Sequence, residues 1–379
     1  MKDGFRVLST QDGKFADDSM DLDEGPDVVA GHSQTSRRFD PSIAQRGRNI
    51  GLDSIRGICA TSIAVYHFIA WKGLVLTSVG TFGVYIFFIL SALTMFMVYG
   101  QTFSTNIARG DLLDFFQNRA ARILPLLLVM SAIAAWNYNN EGVLAKAVLT
   151  GSGVFSLGLP GHLSASTGAW SLGIEIVFYI AFPVLALMLA SVSLRAVVVV
   201  TIAAIVAQQV NLSLLPGEAA GVITRWVYYT VPLTFAPFFA LGILAHRIKL
   251  RASIANFAGA MVGFLIICAY SSVIPFDMFR SSVSYVLLTG ISFITVTLAF
   301  NSIVPPRLVR WSVLGGELSY SIYLTHWIAY FSVQKVFEHA PKILLPIEFV
   351  AFIALTLGIS YATYFLIEKP CRDRFRAKR

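Results

Sequence analysis

Long apolar runs with no alternation fill most of this chain, and they leave few ways to fold it. IRGICATSIAVYHFIAW (55–71) and GTFGVYIFFILSA (80–92) set the pattern. Inside a bilayer no water satisfies backbone N–H and C=O groups, so only helices or closed barrels can span it. A barrel strand alternates lipid-facing and lumen-facing residues, which these runs do not do. The chain therefore reads as all-α, a polytopic membrane helical bundle. Charge agrees: 13% of residues are charged and 56% hydrophobic, whereas a soluble domain carries about 25% charged residues. The formal net charge of +8 is assigned to cytoplasmic loops and anionic lipid, with no nucleic acid implied.

Ten transmembrane helices are predicted, at about 54–75, 80–99, 121–138, 168–190, 194–212, 226–246, 253–274, 283–300, 313–337 and 343–367. The stretch 143–159 is also apolar. Gly151, Gly153, Gly158 and Pro160 interrupt it, so it reads as a loop dipping into the bilayer edge. With the N-terminus inside, the inner loops and the C-terminal end hold fifteen Lys and Arg, and the outer side six. That asymmetry favours ten spans with both termini cytoplasmic. Residues 1–30 hold eight acids and three bases, and 31–49 four arginines and one acid. Residues 1–49 thus read as a disordered cytoplasmic tail, 50–370 as the membrane domain, and 371–379 as a basic cytoplasmic tail. No signal-peptide pattern is seen at the start. Cys59, Cys268 and Cys371 suggest neither a disulfide framework nor a metal site.

Arg56 and His67 stand eleven residues apart in the first run. Eleven helical residues make three turns plus ~20°, so the two side chains share one face, ~16 Å apart along the axis. Arg56 then falls at the inner membrane edge and His67 near the middle, where an ionisable residue reads as functional. Counting along their own helices brings Glu175 and His326 to a similar depth. Arg119, Arg122 and Arg310 join Arg56 at the inner edge. The expected site is a basic mouth facing the cytoplasm and leading to a His/Glu/His centre. Arginines bind phosphates bidentately, histidine takes a proton from a hydroxyl, and a carboxylate orients the imidazole. A phosphate-bearing acyl donor from the cytosol suits that layout. Each residue also has a plainer role: His67 as a helix–helix hydrogen bonder, Glu175 as an ion-pair partner, and RAAR (119–122) as a positive-inside stop.

The motifs then become specific. Arg56 and His67 lie in LDSIRGICATSIAVYH, which resembles the arginine–ten residues–histidine signature of the acyltransferase-3 family. GTFGVYIFFILSA resembles its second-span motif, and FFQNRAARILP (115–125) its Arg-x-x-Arg element. WSLGIEIVFY (170–179) resembles its Trp-Ser-Leu-x-x-Glu motif. GELSYSIYLTHW (316–327) resembles its late-span motif, with Tyr320, Tyr323 and His326. IEKPCRDRF (367–375) resembles its closing Glu-x-Pro segment. The chain departs from the family at Ile176, where a second acid is common, and at Ala92, where glycine is common.

The resemblance implies an O-acyltransferase that binds no resident cofactor and uses acetyl-CoA or another acyl-CoA as co-substrate. The implied acceptor is a hydroxyl of a glycan or lipid-linked sugar at the outer face, and the implied location a plasma membrane, the bacterial inner membrane. It assigns catalysis to His67, Glu175, Arg56 and His326, and donor binding to Arg56, Arg119 and Arg122. The SGNH-type extracytoplasmic domain of some relatives is not expected, so the membrane domain or a separate extracytoplasmic partner completes transfer. The alternative is a proton-coupled transporter or flippase using the same midplane His/Glu cluster.

Overall fold

The computed structural model describes residues 48–73, 77–138, 141–273, 277–280 and 282–377. The predicted tail lies outside them up to residue 47. Arg48 and Asn49 already belong to the bundle: the Asn49 side chain caps the first helix by accepting from Leu52 N–H (3.0 Å) and donates to the Phe300 carbonyl (2.8 Å).

Every element among the described residues is helical. The order is α1 (Ile50–Trp71), α2 (Thr77–Tyr99), α3 (Arg109–Tyr138), α4 (Glu141–Ser152), α5 (Pro160–Leu163), α6 (Ala169–Leu189), α7 (Leu194–Ser213), α8 (Gly221–Tyr229), α9 (Pro232–Arg247), α10 (Ile254–Val273), α11 (Val283–Phe300), α12 (Pro306–Phe337), α13 (Leu345–Thr363) and α14 (Lys369–Phe375). A helix occupies each of the ten predicted runs. Six of these helices are long and apolar enough to cross a membrane by themselves, or seven if α8 and α9, bent by 46°, form one broken span. α1 and α12 fall outside that set because of their polar residues, among them Asp53, Arg56 and His67 on one and Glu317 and His326 on the other.

One local expectation changes. The stretch 143–159 is not a loop: α4 runs to Ser152, and a 3-10 turn follows at Val154–Leu157. The break falls at Gly153, whose φ of +79° is left-handed and disfavours any Cβ. The segment after the last span is helical. A π-helical turn at Tyr364–Glu368 feeds α14, which docks on α3 as Gln117 donates to the Phe375 carbonyl (2.8 Å) and Ala377 N–H to Asn118 (3.0 Å).

α2 is the most enclosed span, with 72% of its apolar window buried, against 22% for α7 and for the segment containing α13. α2 is thus the central post, and α7 and α13 turn apolar faces outward as lipid-facing helices do. α1 and α12 pack tightly because glycines meet: a Cβ on Gly57 would lie 2.8 Å from Gly315 backbone, and one on Gly316 2.5 Å from Asp53 Cβ. Small residues let helix backbones approach in just this way in membranes. The contacts Ser54–Ser312 (offset 258) and His67–His326 (offset 259) keep almost one sequence offset, so the two helices run parallel and in register. Ten or eleven residues beyond the glycine contact, at ~1.5 Å each, His67 and His326 must arrive at one height.

Candidate active site

The site is a column of three cavities beside α1. The first is a basic mouth of about 420 Å³, where Arg48, Arg56, Arg119, Arg122, Arg372 and Arg376 face Asp53, Glu317, Glu368 and Asp373. The second, the polar chamber, is about 70 Å³; Arg56, Arg119, Arg122, Ser91, Glu175, Tyr179 and Tyr320 form its polar side, and Val84, Phe87, Phe88 and Leu172 lie on its apolar side. The third, of about 110 Å³, is aromatic and is lined by Tyr66, His67, Trp170, Trp226 and Tyr229. Arg56, Thr94, Arg119, Arg122 and Tyr320 line both of the first two, which therefore adjoin.

α1 supplies one group to each end. Arg56 donates to Thr94 Oγ1 (3.0 Å) and lies 3.6 Å from Asp53, one turn before it. Asp53 is buried at 4% exposure and also pairs with Arg48. Arg48 reaches Glu317 on α12 at 2.8 Å. A buried carboxylate paired on two sides avoids the cost of an isolated charge and fixes the Arg56 fork. Arg119 is held by rings, its guanidinium 5.2 Å from the centre of Tyr99, 5.6 Å from Tyr179 and 5.8 Å from Phe115. Its cation thus stays available to an anion in the chamber. Arg310 is exposed on α12 and lines none of these cavities.

Glu175 belongs to the chamber. Its carboxylate accepts from Ser91 Oγ (2.6 Å) and from the Tyr179 hydroxyl one turn along α6. It thus stands with Arg56, Arg119 and Arg122, apart from the aromatic cavity that His67 lines. The expected His/Glu/His centre divides in two: a histidine pair above and an Arg/Glu/Tyr chamber below.

His67 and His326 stack with ring centres 4.8 Å apart, and His326 Nε2 lies 3.1 Å from His67 Nδ1. The hydrogen-bond network assigns their tautomers. His326 Nδ1 faces the Ile322 carbonyl at 3.2 Å, and a carbonyl only accepts, so that nitrogen carries the proton. In the neutral ring Nε2 is then an acceptor. His67 Nδ1 must donate to it, and it also faces the Ile63 carbonyl at 3.0 Å. His67 Nε2 then carries the lone pair, and no hydrogen bond reaches it among the described residues; its ring lines the aromatic cavity. Trp71 lies on both imidazoles, 5.1 Å from His67 and 6.0 Å from His326. Lys72 closes this end of α1 by pairing with the buried Glu348 on α13. His326 itself is fully buried and lines none of the three cavities.

Several of these groups were not singled out from sequence: Asp53, Ser91, Thr94, Tyr179 and Trp71. A signal existed for three of them. Asp53 is i−3 from Arg56, Tyr179 is i+4 from Glu175, and Trp71 is i+4 from His67, spacings that put neighbours on one helix face.

No curated protein and no solved structure matches the chain. A family model does: the acyltransferase domain, Acyl_transf_3, matches residues 49–365, a range that holds the mouth-lining arginines of α1 and α3, the chamber and the histidine pair. The chain belongs to the acyltransferase-3 family and is a multi-span membrane protein of that kind.

Proposed function

We propose that this protein transfers a short acyl group, most simply acetyl, from cytosolic acyl-CoA to a hydroxyl of a glycan or lipid-linked sugar at the outer face. The observation that carries the reading is the polarity of the histidine pair. Both Nδ1 protons are committed to acceptors on their own helices or in the pair, and no hydrogen bond reaches His67 Nε2 among the described residues, on a ring that lines the aromatic cavity one chamber above the arginines.

The donor's phosphates occupy the basic mouth, where guanidinium forks suit them. Its thioester extends into the chamber beside Arg56, Arg119 and Arg122. The chamber, at about 70 Å³, is the smallest of the three spaces, which suits the few atoms of an acetyl thioester. The acceptor hydroxyl enters the aromatic cavity, whose Trp170 and Trp226 rings lie 5.0 Å apart. The hydroxyl oxygen attacks the thioester carbonyl as its proton passes to His67 Nε2. The C–S bond breaks, and the proton moves from the imidazolium to the departing thiolate, giving an ester and free CoA thiol. His326 acts on His67 as a positioning residue, fixing the tautomer as an orienting group does for a general base. Glu175 and Tyr179 shape the polar wall of the chamber.

Ten membrane crossings with both termini cytoplasmic, in a plasma membrane, complete the reading. Helices at all ten apolar runs and the fifteen-to-six charge asymmetry support it. The test is turnover of radiolabelled acetyl-CoA by the purified protein with a mixed oligosaccharide pool. Label transfer that is lost in His67→Ala supports the proposal. Full transfer in that variant, or no CoA turnover by the wild type, sinks it, and the second result favours a proton-coupled transporter built on the same polar column.

A further inference from the structure

Val84 on α2 and Tyr323 on α12 line both the polar chamber and the aromatic cavity above it. They therefore form the partition between the donor side and the histidine side. The two walls of this partition differ in kind. Tyr323 is pinned: its hydroxyl lies 2.7 Å from Ser171 Oγ and donates to the Gly168 carbonyl at 3.1 Å. Gly168 permits this, since its φ is +84° and a Cβ there would come within 3.0 Å of Tyr323 Cζ. Val84 is buried at 7% exposure and has no polar anchor. Its β-branched side chain holds one stiff rotamer in a helix, so it acts as a fixed apolar stop.

We propose that Val84 and Tyr323 are the acyl-selecting neck of the enzyme, with the bulk at position 84 setting the length of the acyl group transferred. The inference rests on the acyl-CoA reading above. For a thioester in the chamber to meet a hydroxyl held by His67, its carbonyl must sit at this partition. The alkyl part of the acyl group then packs against Val84, because Tyr323 presents a hydrogen-bonded edge that cannot retreat. A longer acyl group must extend past the Val84 side, since the Tyr323 edge is held by its hydrogen bonds.

The experiment measures CoA release from acetyl-CoA and from butyryl-CoA by the purified full chain in liposomes, with a mixed oligosaccharide pool. Wild type is compared with Val84→Ala, Val84→Ile and Val84→Phe, each checked by gel filtration and thermal unfolding. CoA binding is measured alongside. A methylene in an apolar pocket changes selectivity by about 10-fold or more. Val84→Ala is thus expected to raise the butyryl-to-acetyl ratio by about 10-fold, and Val84→Ile to lower it. Val84→Phe is expected to stop both donors with CoA binding unchanged; should it not fold, the Ala and Ile variants still decide. A ratio that stays flat in Val84→Ala and Val84→Ile while the wild type turns over acetyl-CoA overturns the neck alone. No CoA release by the wild type overturns the parent reading and the neck with it.

Discussion

The lower and upper halves of the column are built from the same two helices in opposite ways. Below, α1 and α12 meet through Gly57 and Gly315, and the space beside them is ringed by six arginines and four acids in a mouth of about 420 Å³. Above, the same helices meet through His67 and His326, capped by Trp71, beside an aromatic cavity of about 110 Å³. The lower half suits holding charge, with many donors spread over a wide space. The upper half suits moving one proton, with one free nitrogen whose orientation is over-determined. A membrane enzyme that draws a charged donor from one side and a hydroxyl from the other needs both environments, and a parallel helix pair supplies them ~15 Å apart.

The sharpest way to break the comparison is to remove the upper base. His67→Ala is expected to lower acyl transfer by at least ~1000-fold, within the range for general bases, while CoA binding and thermal unfolding stay near wild type. Next comes the lower half. Arg56→Ala is expected to cost about 100-fold in kcat/KM, mostly through KM for acyl-CoA, since charged pairs truncated in a buried site cost ~2–5 kcal/mol. If Arg56→Ala lowered kcat and left KM alone, the two halves would not divide binding from chemistry as described.

His326 sharpens the distinction between a base and its positioning partner. His326→Ala is expected to lower kcat by roughly 10- to 100-fold with KM for donor unchanged and the pH–rate profile altered. His326→Gln, which can present an oxygen where Nε2 accepts, is expected to recover part of the loss. Equal losses in both variants would argue that the ring itself touches substrate. The smallest effect is on stability. Gly57→Ala puts a Cβ 2.8 Å from Gly315 backbone, and such overpacking costs ~1–3 kcal/mol, read as a lower unfolding temperature with both cavities impaired together.

The pattern of helices was legible in the sequence because apolar runs report lipid exposure directly. Arg56 and His67 were legible as one face because eleven residues is close to three turns. Glu175 was not placed correctly by the same arithmetic. Rise per residue gives distance along α6 but not the height of α6 against α1 and α2, and that height sets Glu175 beside Ser91 in the chamber. The meeting of His67 with His326 depends on the register of α1 with α12, which the glycines at 57 and 315 set only once the two helices are known to be neighbours. In the sequence α4 is hidden by Gly151 and Gly153, which interrupt an apolar run. Only Gly153 breaks the helix; Gly151 lies inside it.

The division of the column into a donor half and an acceptor half is tested most directly by sidedness. Proteoliposomes with the protein in known orientation receive radiolabelled acetyl-CoA on one face and an oligosaccharide pool on the other, for wild type and His67→Ala. The account predicts labelled oligosaccharide only with wild type, and only with CoA on the face bearing Arg48, Arg372 and Arg376. Equal labelling from either face, or labelling by His67→Ala, would contradict it.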